Sequence, residues 1–250
     1  MSIAEYKRLL TQAYDLDKPE APAEELAHYR RHTPGGDAPV LEAMCGSGRF
    51  LLALLADGVA IEGCDASAPM LEACRQRARE RGLAEPTLHH QLLQDLAIPR
   101  RFDLVFCGGG SFGLIADIGD VQRALTALRE HLLPGGRLLL EVETPAAAAR
   151  TGVWTGRSWT RADGATITLR MITAFDRDTA IETGVGIYEL FTNDGPPEVE
   201  INNWIRKLWT PDGIEAVLRQ AGFELVQLTR AFSNEPYDTS SDMISVLAMR

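Results

Sequence analysis

The chain has 250 residues, of which 45% are apolar and 24% charged, an ordinary balance for a folded globular protein that excludes a disordered or fibrous chain. A formal charge of -10 works against binding a phosphate backbone, which is driven by counterion release at basic patches, so nucleic acid is not an expected partner. The start, MSIAEYKRLL, has no apolar core and no apolar window of about 18 residues occurs, which makes a cytoplasmic protein the expectation.

Taken in chain order, Ser2 to His32 reads as a helix-rich segment with Glu24, Glu25 and Tyr29, able to fold back over a pocket. Strand and helix patterns then alternate: strand 40–43, helix 49–56, strand 59–64, helix 69–81, strands 87–91 and 103–107, helix 121–133 and strand 137–142. That alternation predicts an α/β fold, a parallel sheet with helices on both faces. The punctuation agrees: Gly58 can end one helix, Ser67 can cap the next with Pro69 in its first turn, and Pro134-Gly135-Gly136 stops the helix before it.

Beyond Pro145 the pattern turns β-rich, with strands expected over 154–160, 165–173, 181–191 and 198–209, joined at Asp163-Gly164 and Asn193-Asp194-Gly195. Thr210-Pro211 then opens a helix over 212–221 that Gly222 ends, and strands 223–229 and 243–249 return to the main sheet. The reading is therefore one α/β domain, 1–145 with 210–250, carrying an antiparallel β cap inserted at 146–209.

Chemistry concentrates in Val40 to Phe50, VLEAMCGSGRF, and in Asp65. A buried strand ending in an acid, breaking into Cys45-Gly46-Ser47-Gly48 and entering a helix is a nucleotide-cofactor turn; Gly46 and Gly48 allow close backbone approach, and Asp65 stands where a ribose is held. A nicotinamide enzyme, the alternative oxidoreductase reading, wants a third glycine where this chain has Leu51. Cys45, Cys64, Cys74 and Cys107 lack the spacing of a disulfide framework or zinc site and read as reduced thiols. Arg75, Arg77, Arg79 and Arg81 read as a solvated helix face.

Four segments together resemble the class I S-adenosylmethionine-dependent methyltransferases, in the branch that acts on small molecules: Glu42 to Arg49, Gly63 to Leu71, Arg101 to Phe106, and Leu133 to Leu138. Met44 replaces the first glycine of the family's turn. The resemblance implies a Rossmann-like, seven-stranded, mainly parallel sheet and S-adenosyl-L-methionine as cofactor. It implies that Glu42 orients the methionine amino group, that Cys45, Gly46 and Gly48 line that moiety, and that Arg49 approaches its carboxylate. Asp65 would take the ribose hydroxyls and Ala66 and Met70 the adenine, with Gln94, Asp95 and Leu96 beside the adenine amine. Cys107 and Gly108, after the fourth strand, would lie by the reactive methyl, and Tyr14 and Tyr29 resemble tyrosines that close over the site. The Asp/Asn-Pro-Pro-aromatic turn of base-modifying relatives is absent.

For the acceptor, Ser111 and Phe112 are the candidates after that turn. The alternating faces Thr166, Thr168, Arg170 and Asn202, Trp204, Arg206 would favour a small substrate with an anionic or aromatic part if they look into the pocket. His28, His89, His90, His131 and Tyr237 are the possible bases, none with a motif around it. The expected reaction is methyl transfer to N or O of a small molecule, with no metal and no covalent nucleophile; a ligand sensor or chaperone that keeps the cofactor fold is the non-enzymatic alternative.

Overall fold

The computed structural model describes residues 6–224 and 226–250; the expectations for Ser2 to Glu5 and for Leu225 lie outside the described residues. Helices α1 (Arg8–Asp17) and α2 (Ala23–His32) precede the sheet. The α/β part runs β1 (Val40–Ala43), α3 (Leu51–Ala56), β2 (Ile61–Asp65), α4 (Ala68–Glu80), β3 (Thr87–His90), β4 (Phe102–Cys107), α5 (Ile118–Glu130) and β5 (Leu132–Glu143). Next come the four strands β6 (Thr155–Thr160), β7 (Thr166–Asp176), β8 (Ile181–Phe191) and β9 (Glu198–Lys207). The chain closes with α6 (Pro211–Gln220), β10 (Val226–Arg230) and β11 (Met243–Met249).

The main sheet has seven strands in the order β10-β11-β5-β4-β1-β2-β3. All neighbours from β5 to β3 are parallel, and β11 runs antiparallel to both β5 and β10. Its central strands are covered on both faces, which is why VLEA and FDLVFC read as near-continuous apolar runs rather than alternating ones. Chain order reverses between β1 and β4, so a crevice opens above the carboxyl ends of those two strands, where open α/β sheets bind their ligands.

The expected caps are in place. Ser67 Oγ accepts from Met70 N (3.2 Å), Thr210 Oγ1 from Gly213 N (3.1 Å), and Asp117, which the sequence reading passed over, from Asp120 N (3.0 Å). Several boundaries differ by a few residues, two of them near the site. Helix α5 ends at Glu130 rather than at Leu133, because Leu132 already pairs with Phe102 in the sheet; the Pro134-Gly135-Gly136 turn shifts the register inside β5 instead of stopping a helix. Helix α3 starts at Leu51 rather than Arg49 and has only 6 residues.

Strands β6 to β9 form a separate antiparallel sheet in sequential order, between β5 and α6 in the chain. One face of this cap packs on α1, where Leu9 and Ala13 meet Ala165, Ile167 and Leu190. Burying Leu9 alone contributes roughly 2 kcal/mol. Polar contacts tie the same helix at both sides. Glu200 of β9 accepts from the first helical amides, Leu9 N (3.0 Å) and Leu10 N (3.1 Å), an anion at the positive end of α1. Asp17 meets Arg157 (2.8 Å), while Asp15 meets Ser47 Oγ (2.5 Å) and Arg77 (2.8 Å) on the α/β side. Helix α1 thus joins the cap to the glycine turn.

Candidate cofactor and acceptor site

Above the carboxyl ends of β1, β2, β4 and β5 lies one cavity of about 1310 Å³, larger than the roughly 300–1,000 Å³ that suits a single small ligand. Its first half stands over β1 and β2. After β1 the chain takes left-handed conformations at Met44 (φ 57°), Gly46 (φ 54°) and Gly48 (φ 80°). Met44 is the uncommon member, a side-chain residue where the backbone demands a conformation that glycine adopts freely. A Cβ on Gly48 would fall 2.5 Å from the Cys74 sulfur, so at that position glycine lets the turn pack on α4.

Asp65, at the end of β2, holds the turn. Its carboxylate, which lines the cavity, accepts from Gly46 N (2.9 Å) on one oxygen and from Ser67 N (2.8 Å) on the other. Burial raises its pKa, opposed by these amides. Glu42 is 3% exposed, and its Oε2 has no hydrogen-bond partner. Desolvation pushes its carboxyl up to about 8, against the Leu51 amide and the Arg49 charge, which act the other way. The start of the short α3 is therefore directed at Glu42 and not left open for an anion. Arg49 lies over the Phe50 ring and 3.3 Å from Glu25, yet its Nε and Glu25 Oε2 are both unsatisfied. Buried polar atoms without partners are rare, and two of them, Glu42 Oε2 and Arg49 Nε, belong to residues that line this cavity.

The second half stands over β4 and β5, under the cap. The turn Gly108-Gly109-Gly110 partitions the two: a Cβ on Gly109 would meet Arg49 at 3.0 Å, and one on Gly110 would meet Glu143 Cγ at 3.1 Å. Glu143, the last residue of β5, is ion-paired with Arg206 of β9. Arg206 also meets Glu182 (2.7 Å), whose fully buried carboxylate accepts from Ala149 N (2.7 Å) as well.

Of the residues expected at the cofactor, Tyr14, Glu42, Cys45, Gly46, Arg49, Asp65, Ala66, Met70, Gln94 and Gly108 line the cavity. Gly48, Asp95, Leu96 and Cys107 do not; Cys107 is fully buried and burial holds its thiol high. Among the acceptor candidates, Ser111 and Arg206 line it. Phe112 is buried near Trp209 instead, and Arg170 pairs with Glu189 outside the cavity. Trp204 covers Gly184 beside a separate hollow, and Tyr237 is 39% exposed away from the site. Tyr29 is fully buried beneath Gly108, stacked on Phe106 and hydrogen-bonded to Glu141, part of a sealed cluster with His28 and Ser245. Its hydroxyl supports the floor of the site rather than closing over it.

Sequence reasoning missed Tyr6, Lys18, Asp117, Glu143 and Asp176. Tyr6 and Lys18 carried no motif, and Glu143 was hidden as the terminal residue of an apolar strand. Among the described residues no group of His, Cys, Asp and Glu could hold a metal ion, and the four cysteines are unpaired and buried. No described helix is long and apolar enough to cross a membrane.

Residues 40–136 match the family model described as a methyltransferase domain. A dTDP-3-amino-3,6-dideoxy-alpha-D-glucopyranose N,N-dimethyltransferase of Streptomyces fradiae is 33% identical over 139 residues, 56% of this chain. That alignment spans only 52% of the relative's length. The cypemycin N-terminal methyltransferase of a Streptomyces species is 28% identical over 245 residues, covering 97% of this chain and 96% of the relative. In fold the chain resembles an S-adenosylmethionine-dependent methyltransferase of Clostridium acetobutylicum, with a TM-score of 0.78 at 17% identity over 95% of this chain and 96% of that one.

Proposed function

We propose that this chain, whose residues 40–136 belong to the methyltransferase-domain family, is an S-adenosylmethionine-dependent methyltransferase acting on nitrogen of a small molecule. The observation that carries the reading is that Glu42, whose Oε2 has no partner, Arg49 and Asp65 line one half of a cavity whose other half remains for an acceptor.

The donor set fits the cofactor. Glu42 Oε2 is an acceptor in want of an ammonium group, Arg49 answers a carboxylate, the Gly46 turn admits a chain against the backbone, and Asp65 retains lone pairs for vicinal hydroxyls. Ala66 and Met70 provide an apolar wall for adenine. Bound there, S-adenosylmethionine supplies a methyl group on a sulfonium, open to in-line displacement by a lone pair.

The protein's part is alignment and exclusion of water. Helix α1 brings Tyr14 and Lys18 to the cavity wall, and the cap brings Arg206. Nitrogen is favoured over oxygen as the acceptor because a hydroxyl needs a base at its proton, and the carboxylates that line that side are already engaged: Asp117 with Asp120 N, Asp120 with Arg123, Glu143 with Arg206 and Asp176 with Asp178 N. The histidines are engaged elsewhere: His28 beside Glu141, His89 on Glu62, His90 on the Ala66 carbonyl and His131 on the Ala127 carbonyl, with none lining the cavity. The curated relatives named above, acting on an amino sugar and on a peptide N-terminus, support the same choice. The net charge speaks against a nucleic-acid acceptor, and the four unpaired thiols suit a reducing cytoplasm. The nicotinamide and sensor readings have no observation in their favour.

Titration calorimetry with S-adenosylmethionine and its demethylated product tests the reading. Micromolar binding is expected, and absence of binding at millimolar ligand would sink it.

A further inference from the structure

The acceptor half of the cavity has an electrostatic character that the sequence reading did not anticipate. Among the described residues its walls carry the carboxylates Asp117, Asp120, Glu143 and Asp176, with the cation Arg206 beside them. That cation is spent: its guanidinium is shared between Glu143 and the fully buried Glu182. Asp120 pairs outward with the exposed Arg123, and Asp176 accepts amides of its own turn at Asp178 (2.9 Å) and Thr179 (3.4 Å). Lys207 lies outside the cavity wall, bonded to the Thr179 carbonyl and set over Trp209. The cavity's other cations are Lys18, over the Tyr14 ring, and Arg49, over Phe50 and 3.3 Å from Glu25.

We infer that the acceptor is a phosphate-free amine, and that Glu143 receives its N–H while Arg206 serves as the counter-ion that fixes Glu143 rather than as a receptor for an anion. The inference rests on the proposed methyl transfer and narrows it. A nucleoside diphosphate group would enter among four carboxylates beside an Arg206 already held by two of its own, a like-charge excess that selects against it.

Glu143 has the placement the role requires. It closes β5 and sits against Gly110, so it borders the glycine turn that separates the two halves of the cavity. The amine would arrive as its ammonium and give one proton to solvent, freeing the lone pair; in the transfer the N–C bond then forms as the S–C bond breaks, and positive charge passes from sulfur to nitrogen. A fixed carboxylate beside that nitrogen favours the transition state over the neutral amine, and the proton of the methylated ammonium leaves to solvent afterwards. Being held by Arg206, the carboxylate needs no reorganisation to do so. Gly113 keeps the arrangement tight, since a Cβ there would strike the Lys207 carbonyl at 2.8 Å, just after Arg206.

The test uses the full chain saturated with S-adenosylhomocysteine, which first checks the cofactor reading by itself. Calorimetry then compares methyl 3-amino-3-deoxyglucoside and alanyl-alanine amide with dTDP and with a dTDP-linked 3-amino sugar. At least one phosphate-free amine should bind with its Kd rising several-fold between about 20 and 300 mM salt, as an attraction between opposite charges does. The dTDP compounds should bind at least tenfold more weakly or not at all. Glu143→Gln should weaken the amine at least tenfold while leaving S-adenosylhomocysteine affinity within about twofold. Asp120→Asn, which leaves the Asp117 cap intact, should weaken it about twofold and flatten the salt dependence. Tighter binding of the dTDP compounds, binding of neither amine, or a Glu143→Gln protein that retains amine affinity would each overturn the inference. If S-adenosylhomocysteine itself fails to bind, the cofactor reading falls first.

Discussion

The two halves of the cavity are made in opposite ways. Over β1 and β2 the site is mostly backbone: a turn with left-handed residues, amides gathered by Asp65, and polar atoms at Glu42 and Arg49 left unsatisfied within a buried wall. Over β4 and β5 it is made of side chains that satisfy one another, with Glu143, Arg206 and Glu182 drawn from three strands of two sheets. The first half is built incomplete, with unsatisfied polar atoms; the second is internally paired but keeps an excess of carboxylates, and selects by what it repels. One surface can therefore be matched to a cofactor of fixed structure while the other is free to vary with the acceptor.

The sharpest way to break this contrast is Asp65→Ala. It removes the proposed ribose acceptor and strands the Gly46 and Ser67 amides, so S-adenosylmethionine affinity should fall about 100-fold, ~3 kcal/mol, in calorimetry. A loss below fivefold would mean that the cofactor half does not depend on its turn.

Glu182→Gln probes the other half. A buried carboxylate partner is lost from Arg206, and the protein should lose about 2 kcal/mol of stability in thermal or urea unfolding, with cofactor affinity unchanged. Loss of cofactor binding by the folded variant would show that the halves are not separable.

Glu42 gives a pH signature confined to the first half. With its carboxyl near 8 the free protein holds Glu42 largely protonated at neutral pH, whereas a ligand ammonium beside it favours the ionised form. Binding therefore releases a proton, and affinity should rise between pH 6 and pH 8 by at most about tenfold per pH unit, levelling above. Calorimetry in buffers of different ionisation enthalpy reads the proton directly; Glu42→Gln should abolish it and leave acceptor binding untouched.

The smallest effect belongs to Met44. A left-handed non-glycine residue costs roughly 1–2 kcal/mol, partly returned here by packing of its side chain on the core, so Met44→Gly should change unfolding stability by no more than about 1 kcal/mol. A larger loss would make the methionine a packing residue first and a turn residue second.

The contrast also explains what could be read from the chain itself. The parallel sheet, the capped helices and the glycine turn follow from neighbours in sequence: Gly46 and Asp65 are 19 positions apart and joined by one α/β unit, so pattern and spacing disclose them. The acceptor half depends on pairings such as Glu143 with Arg206, 63 positions apart, and on which face of a twisted cap sheet meets the cavity. Alternation placed Trp204 and Arg206 side by side, as they stand, but could not show that Arg206 is already paired with Glu143 and Glu182, on which the proposal of an amine rests. Tyr29 failed for a related reason, since an aromatic in a leading helix reads alike whether it covers the ligand or lies beneath the sheet end. The end of α5 was missed because Leu132 was already committed to pairing with Phe102, a partner 30 positions away.

Helix α1 has a thermodynamic consequence. It is grasped by Glu200 and Arg157 of the cap on one side, and through Asp15 by Ser47 of the glycine turn on the other. The cap and the turn therefore share one mechanical element, and any displacement of that element by one ligand alters the site of the other. Such linkage is reciprocal: whatever factor the acceptor adds to cofactor affinity, the cofactor must add to acceptor affinity. Severing the Asp15 contact should bring both factors toward unity together, turning two interdependent equilibria into two independent ones.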